Sequence, residues 1–428
     1  NVHVIHKGFV NFAPQKKKFF SPLRRIMKMR LIDESNYSVI EVISKWDIIV
    51  YYISGIFLGI WVTIKWLIHY VWTLVNPRSV TTARSHYVPD KPPSYLVDSN
   101  FGRHSYVKLS RTKFHYVEAG NLTDPVILLL HGFPDCWIGW RDQIKELSRF
   151  FRVIALDLKG FNDSDKPMWR REYALEKICR ELVDFIHSLN VNSVTLMGHD
   201  LGGVLGWILA HTNPRVINRL ICVSAPHPNL MWSNVENSKV PINSAWLKFI
   251  QLPYLPEVEH VRPDSNFLDR NFTHVDNSRA KSKYNNLQPL NGSSNEKGHI
   301  LDAYRYIFSR HEDWNGPLNY FRNLPFYRIR DGSSLIVCPC LIVTGNSDPL
   351  FRLESLIKST DYCENFVVKI IEGAAHWPHQ ELPNEFNRII LKFLVGNRAS
   401  QTMERIEKVN NNKGLMGFML GAVSNSVN

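Results

Sequence analysis

Cysteine is scarce in this sequence: Cys136, Cys179, Cys222, Cys338, Cys340 and Cys363 are the six present among 428 residues. Cys338 and Cys340 form C-x-C with no second pair at zinc spacing, so neither a structural zinc module nor a disulfide framework is indicated. Cys222 in LICVSAP and Cys340 in CPCLIVTG lie in apolar runs, where cysteine serves as a small hydrophobe of a buried strand. Internal repeats are absent too. So is any nucleic-acid signature: no basic stripe alternates with exposed aromatics, and no recognition motif occurs. The net charge of +12 does not fill that gap. Residues 1–47 carry nine Lys/Arg against four Asp/Glu, so +5 of it sits in one short arm. A basic arm beside a membrane accounts for that charge, and no nucleic-acid partner is expected. Hydrophobic residues make up 44%, enough for a sizeable core. The sequence starts at Asn1, and Met27 and Met29 are candidate starts, in which case Lys16, Lys17 and Lys18 fall outside the mature chain.

Long apolar runs occur once. Ile48–Ile64 holds seventeen uncharged residues, Lys65 interrupts, and WLIHYVWTLV continues to Val75. Crossing the hydrocarbon takes roughly 20 helical residues, which the two runs supply together if Lys65 reaches a headgroup. Tyr51, Tyr52, Trp66, Tyr70 and Trp72 suit an interfacial belt. The segment is too long for a signal peptide and has no small-residue cleavage site. A single-pass membrane protein, in the endoplasmic reticulum, is expected, with membrane lipid as a partner and residues 1–75 taking no part in the chemistry. Flanking Lys28, Arg30 and Lys45 balance Arg78, Arg84 and Lys91, so charge does not orient the span.

The expected organisation is a basic arm at 1–47, an anchor at 48–75 and a proline-bearing linker at 76–100. A catalytic core follows over 101–227, then a helical lid over 228–330, a second core part over 331–396 and a tail over 397–428. Tyr106–Leu109 and Lys113–Glu118 read as a hairpin. PVILLL, RVIALDL, SVTLMG, RLICVSA, CLIVTG and VVKII are short, continuous and rich in Val, Ile and Leu, which marks strands buried on both faces. Helical patterns over Trp137–Phe150, Glu172–Leu189 and Leu201–Ala210 alternate with them. Alternating strands and helices make an α/β fold with a mostly parallel sheet flanked by helices. The insert has no strand run and includes a polar stretch, Asn277–Lys297.

Chemistry concentrates at strand ends. Gly198-His199-Asp200-Leu201-Gly202-Gly203 follows SVTLMG and opens a helix. Small residues two before and two after Asp200 permit the tight turn that pushes a nucleophile into a site. A carboxylate there is already ionised at neutral pH and can attack carbon to form an ester. His131-Gly132-Phe133-Pro134 follows PVILLL, so the Phe133 and Leu201 N–H groups are the candidate oxyanion hole. Asp348 in GNSDP follows CLIVTG. His376 in GAAHWPHQ follows VVKII, with His379 as a competitor. In this order His376 can activate water while Asp348 fixes its tautomer.

These strings together resemble the epoxide hydrolase group of α/β-hydrolases over roughly residues 100–395. DLKGFNDSDKP, SAPHP, IQLPYLPE and GPLN look like that family as well. The resemblance implies an α/β-hydrolase fold, Asp200 as nucleophile, Asp348 and His376 as its partners, and no cofactor or metal. It further implies two lid tyrosines that hold the leaving epoxide oxygen. This sequence departs there: the family's GPLN-x-Tyr-Arg-Asn is GPLN-Tyr320-Phe321-Arg322-Asn323, and Trp246 stands at the other tyrosine position. Tyr320, Tyr254, Tyr304 and Tyr306 are the candidate substitutes. The residue after the nucleophile, often Trp in relatives, is Leu201.

The expected reaction is opening of a small lipophilic epoxide to a diol through an aspartyl ester. One alternative is a haloalkane-type dehalogenase, which would recruit Trp246 or Trp137 for the halide. Another is a degenerate hydrolase fold kept as a membrane-bound binding protein.

Overall fold

A computed structural model describes residues 34–76, 91–97, 99–109, 111–236, 242–262, 265, 267–272 and 296–396. The arm up to residue 33, most of the linker, the polar stretch as far as residue 295 and the tail beyond 396 lie outside the described residues. The chain divides into two compact units, residues 1–382 and 383–428, so a boundary cuts the piece expected over 331–396. In the second unit, residues 383–396 are helical.

The first unit is built on an eight-stranded sheet. Its strands are β2 (Arg103–Leu109), β3 (Thr112–Ala119), β4 (Val126–Leu130), β5 (Arg152–Leu156), β6 (Val194–His199), β7 (Ile217–Val223), β9 (Cys340–Gly345) and β10 (Phe366–Ile371). They are ordered β10-β9-β7-β6-β4-β5-β3-β2. β2–β3 and β3–β5 pair antiparallel and the other neighbours parallel. β4, β6 and β9 are buried along their whole length. A strand covered on both faces has no reason to alternate, hence the unbroken apolar runs. The helix Leu201–Thr212 packs on β6 and β7 and is itself nearly all buried.

The lid enters between β7 and β9. Its described helices include Pro228–Glu236, Ser244–Phe249, Leu255–Val261, Glu296–Ile307 and Glu312–Asn323. The range read as free of strands does hold one, β8 (Tyr327–Ile329), which pairs antiparallel with β1 (Ile40–Val42). Three residues are too few for a periodic signal. Arg322 ties the lid together: its guanidinium donates to the Ile250 and Leu252 carbonyls and to both oxygens of buried Glu257.

The apolar runs form one helix, Lys45–Val75, unbroken at Lys65. Ser44 caps it, its hydroxyl accepting from the Asp47 N–H at 3.2 Å and donating to the Asp47 carboxylate at 2.8 Å, which satisfies one free N–H of the first turn. Its 31 residues reach about 46 Å at ~1.5 Å per residue. By length and composition it fits a transmembrane anchor. It is also no independent appendage. A Cβ on Gly55 would meet the Lys248 carbonyl oxygen at 2.4 Å, and one on Gly59 would meet Leu252 Cδ1 at 2.3 Å, so both glycines seat the helix against the lid. Gly55→Leu forces a side chain into backbone that cannot yield. It is expected to destabilise the purified full chain by about 1–3 kcal/mol, typical of overpacking, read as a lower thermal midpoint in detergent. Gly55→Leu with an unchanged midpoint would mean that the helix does not rest on the lid.

Candidate active site

β4, β6, β9 and β10 all end on one edge of the sheet, and each carries a candidate residue on its following loop. Open α/β sheets bind ligands at that edge. Asp200 caps the helix after β6 at φ 45°, a backbone setting that costs a non-glycine residue of order 1–3 kcal/mol and clusters at functional sites. Gly202 permits the turn, because a Cβ there would lie 2.2 Å from the Leu130 carbonyl oxygen. One Asp200 oxygen, Oδ2, accepts from the Phe133 N–H at 3.1 Å, and the Leu201 N–H also donates to this carboxylate. The other, Oδ1, lies 3.9 Å from His376 Nε2. On the far side of the ring, His376 Nδ1 is 3.0 Å from Asp348 Oδ2. Asp348 Oδ1 accepts from the Leu350 and Phe351 N–H groups. His376 Nε2 is buried and has no hydrogen-bond partner among the described residues. It is therefore aimed at the Asp200 carboxylate with its lone pair or proton uncommitted.

Electrostatics follow from this packing. Burial pushes the Asp200 carboxyl above its ordinary range, while His376 and the two N–H donors pull it back in part. Burial pulls His376 down, yet Asp348 and then Asp200 outweigh it, and the imidazole stands above its ordinary 6.5. His379 is not the partner of Asp348. It is buried, its ring centred 4.4 Å from that of Trp140 in a tilted contact and 4.6 Å from that of His199.

Two groups escaped the sequence reading. His199 Nε2 donates to the His376 carbonyl at 2.9 Å, tying the nucleophile turn to the histidine loop. Glu381 accepts from the N–H groups on either side of His376, Ala375 at 2.6 Å and Trp377 at 3.0 Å. The only sequence hint of Glu381 was its short spacing from His376, which is generic. Asp135, His199 and His379 bring possible metal-ligand atoms within 4.8 Å of one another. Of these, Asp135 Oδ1 already accepts from the Cys136 N–H and the Tyr304 hydroxyl, so with His199 the cluster braces the loops of the site.

The four candidate lid tyrosines do not bond to Asp200. Tyr320 is buried against Phe161 and Tyr173. Tyr304 spends its hydroxyl on Asp135 at 2.8 Å. Tyr306, two residues further along the same helix, points to roughly the opposite face. Tyr254 is 67% exposed. Phe321 and Trp246 do line the site: their rings lie 5.1 and 5.8 Å from that of Phe133 and 5.2 Å from each other. Phe267, Phe308 and Trp314 complete an aromatic enclosure around Phe133. The Trp246 indole N–H is committed to His260 Nε2 at 3.0 Å. Trp137, the other candidate for a halide, packs instead on Phe101 and His104.

A mostly parallel sheet with a carboxylate at the strand–helix turn and an inserted helical lid defines an α/β-hydrolase, and residues 125–382 match that fold family. Epoxide hydrolase 4 of Homo sapiens is 32% identical over 333 residues, 77% of this chain and 88% of its own length. Epoxide hydrolase 3 of Xenopus tropicalis is 31% identical over 356 residues, 76% of this chain and 92% of its own. A solved epoxide hydrolase of Bacillus megaterium superposes with a TM-score of 0.56 at 27% identity, covering 68% of this chain and 99% of that one. The chain belongs to the epoxide hydrolase family of α/β-hydrolases and is an enzyme of that type.

Proposed function

We propose that the enzyme opens a lipophilic epoxide to a diol through an ester on Asp200, with Lys45–Val75 holding it at a membrane, expected to be the endoplasmic reticulum. One observation carries this reading. The two oxygens of one buried carboxylate are differentiated: Oδ2 accepts from the Phe133 N–H, while Oδ1 lies 3.9 Å from Nε2 of His376, which has no hydrogen-bond partner among the described residues. Oδ1 attacks the epoxide carbon and its C–O bond breaks, leaving an alkoxide to be protonated. His376 then takes a proton from water, which adds to the Asp200 carbonyl carbon. The Phe133 and Leu201 donors meet the oxyanion that forms on Oδ2. Collapse expels the second diol oxygen, which takes the proton back from His376. The remaining water proton leaves the Asp200 carboxyl for solvent, matching the one the first alkoxide drew from solvent, and the carboxylate is restored. The aromatic enclosure suits an apolar substrate.

Among the described residues no tyrosine hydroxyl is bonded to Asp200, which favours a second reading, a haloalkane-type dehalogenase, whose halide needs no proton. Against it, the Trp246 N–H already has a partner. The discriminating experiment incubates purified His376→Gln protein with small epoxides and haloalkanes and weighs the Asp200 peptide. Adducts from epoxides support the proposal. Adducts from haloalkanes alone support the second reading, and none from either class would leave a binding protein.

The pH dependence has a defined sign. Water activation needs neutral His376, and its pKa is raised above 6.5. Ester breakdown is therefore lost as pH falls through the pKa of His376. The ester removes the charge of Asp200, so Asp348 is left as the main group opposing the effect of burial. Single-turnover ester breakdown should show its acid limb at a lower pH than the titration of His376 in the free enzyme; a limb at a higher pH contradicts His376 as the base.

A further inference from the structure

We propose that Lys45–Val75 does not pass through the bilayer between two compartments but lies along one leaflet, with the lid fastened to its inner face and both flanks on the same side. This rests on the membrane reading above and concerns how the helix meets the lipid.

The first argument is topological. The residues just before the helix are part of the catalytic unit. Ile40–Val42 pairs with Tyr327–Ile329, Ile43 N–H donates to the Phe326 carbonyl at 2.9 Å, and Arg330 N–H donates to that of Val39 at 2.7 Å. Glu34–Val39 also packs on the helix that Asp200 caps. The residues after the linker lead directly into β2. A helix whose preceding residues pair with the same folded unit that the chain rejoins from residue 91 onward has that unit on both sides of it in sequence, and so does not separate two compartments.

The second argument concerns the inner face. Between Tyr51 and Trp66 one face of the helix, with Gly55 and Gly59 at its centre, rests on protein. Lys248 sits over the Tyr51 ring, Arg170 is hydrogen-bonded to the Tyr52 hydroxyl, and the Trp66 indole donates to Glu259 at 2.6 Å with Arg262 over its ring. Charged groups along four turns suit a headgroup boundary, whereas the centre of a bilayer excludes them. The stretch beyond Trp66 is nine residues, or about 13 Å at ~1.5 Å per residue, short of a hydrocarbon core of ~30 Å.

The third argument is the outer face. Ile53, Phe57, Ile60, Trp61 and Ile64 are all at least half exposed. Met168 and Trp169, both more than 60% exposed, immediately precede the Arg170 that touches Tyr52, so apolar surface continues onto the body. The helix itself carries few charges, but the lid supplies Lys248, Glu259 and Arg262 against its inner face. Helix and lid together therefore present an apolar side to lipid with charge behind it, as a body held in the interface does, sunk ~5–10 Å. The occupant of the outer face is the acyl region of a phospholipid leaflet, which sets the lid against the lipid.

The test uses the full chain, translated with sealed microsomal vesicles and carrying an epitope ahead of Glu34. Vesicles are floated in high salt, then treated with protease with and without detergent, and the epitope is compared with body peptides from residues 141–330. A second arm introduces Glu41→Cys and Arg328→Cys, register partners in the strand pair, whose Cα spacing in an antiparallel ladder suits a disulfide. The proposal expects flotation, the same protection for epitope and body, and the cross-link in the membrane fraction. Flotation with opposite protection and no cross-link overturns it in favour of a single pass, and the membrane reading stands. Failure to float overturns both.

Discussion

His376→Gln is expected to abolish steady turnover while Asp200 still becomes alkylated. The geometry separates the two steps. Attack on carbon needs only the Asp200 carboxylate, whereas ester hydrolysis needs a base at the 3.9 Å gap between Oδ1 and Nε2. A positioned general base contributes about a hundred- to ten-thousandfold, so the ester should accumulate to one equivalent per chain. Glutamine keeps a polar side chain near Asp348 but has no proton acceptor of suitable basicity. Intact-protein mass after mixing with a reactive epoxide reads the result. Fast turnover with no adduct would mean that another group, or water alone, completes the reaction.

Phe321→Tyr is expected to raise epoxide turnover by about a hundred- to a thousandfold. As Oδ1 attacks, the epoxide oxygen becomes an alkoxide and needs a donor. In comparable oxyanion sites, losing one donor costs roughly 2.7–4 kcal/mol, and each 1.36 kcal/mol is about tenfold in rate. Phe321 is placed for the gain: its ring is 5.1 Å from that of Phe133, whose N–H holds Asp200. The native enzyme should accordingly turn over epoxides slowly. Tyr320→Phe should change little, because Tyr320 packs between Phe161 and Tyr173. Rates of wild type, both single variants and the double variant on one epoxide decide the matter. Loss of activity in Tyr320→Phe with no gain in Phe321→Tyr would transfer the acid role to Tyr320.

What was legible in the sequence follows from the reach of each signal. β4, β6 and β9 could be read because burial on both faces demands unbroken Val, Ile and Leu. The loops after them could be read because tight turns restrict residue type, as at Gly202. The lid was harder. Helical spacing sets Tyr320 and Phe321 about 100° apart, but only packing decides which of them faces Phe133. The same holds for Tyr304, whose hydroxyl is claimed by Asp135, 169 residues away in sequence. Glu381 and His199 act on backbone groups of the histidine loop, and backbone partners leave no trace in side-chain patterns. The short pair of β1 and β8 joins segments nearly 290 residues apart through three residues each, below what periodicity can register. The contact of the anchor helix with the lid rests on Gly55 and Gly59, a spacing equally common where one apolar helix packs on another.

The central claim is a covalent ester on Asp200, and single turnover in heavy-oxygen water tests it most directly. Enzyme in excess over epoxide is quenched after one cycle, and the diol and the peptide containing Asp200 are weighed. If Asp200 attacks carbon and water then adds to its carbonyl carbon, the diol receives an enzyme oxygen and emerges unlabelled, while the label enters Asp200. Label in the diol alone, with Asp200 unlabelled, would mean direct attack of water on the epoxide and would contradict the account.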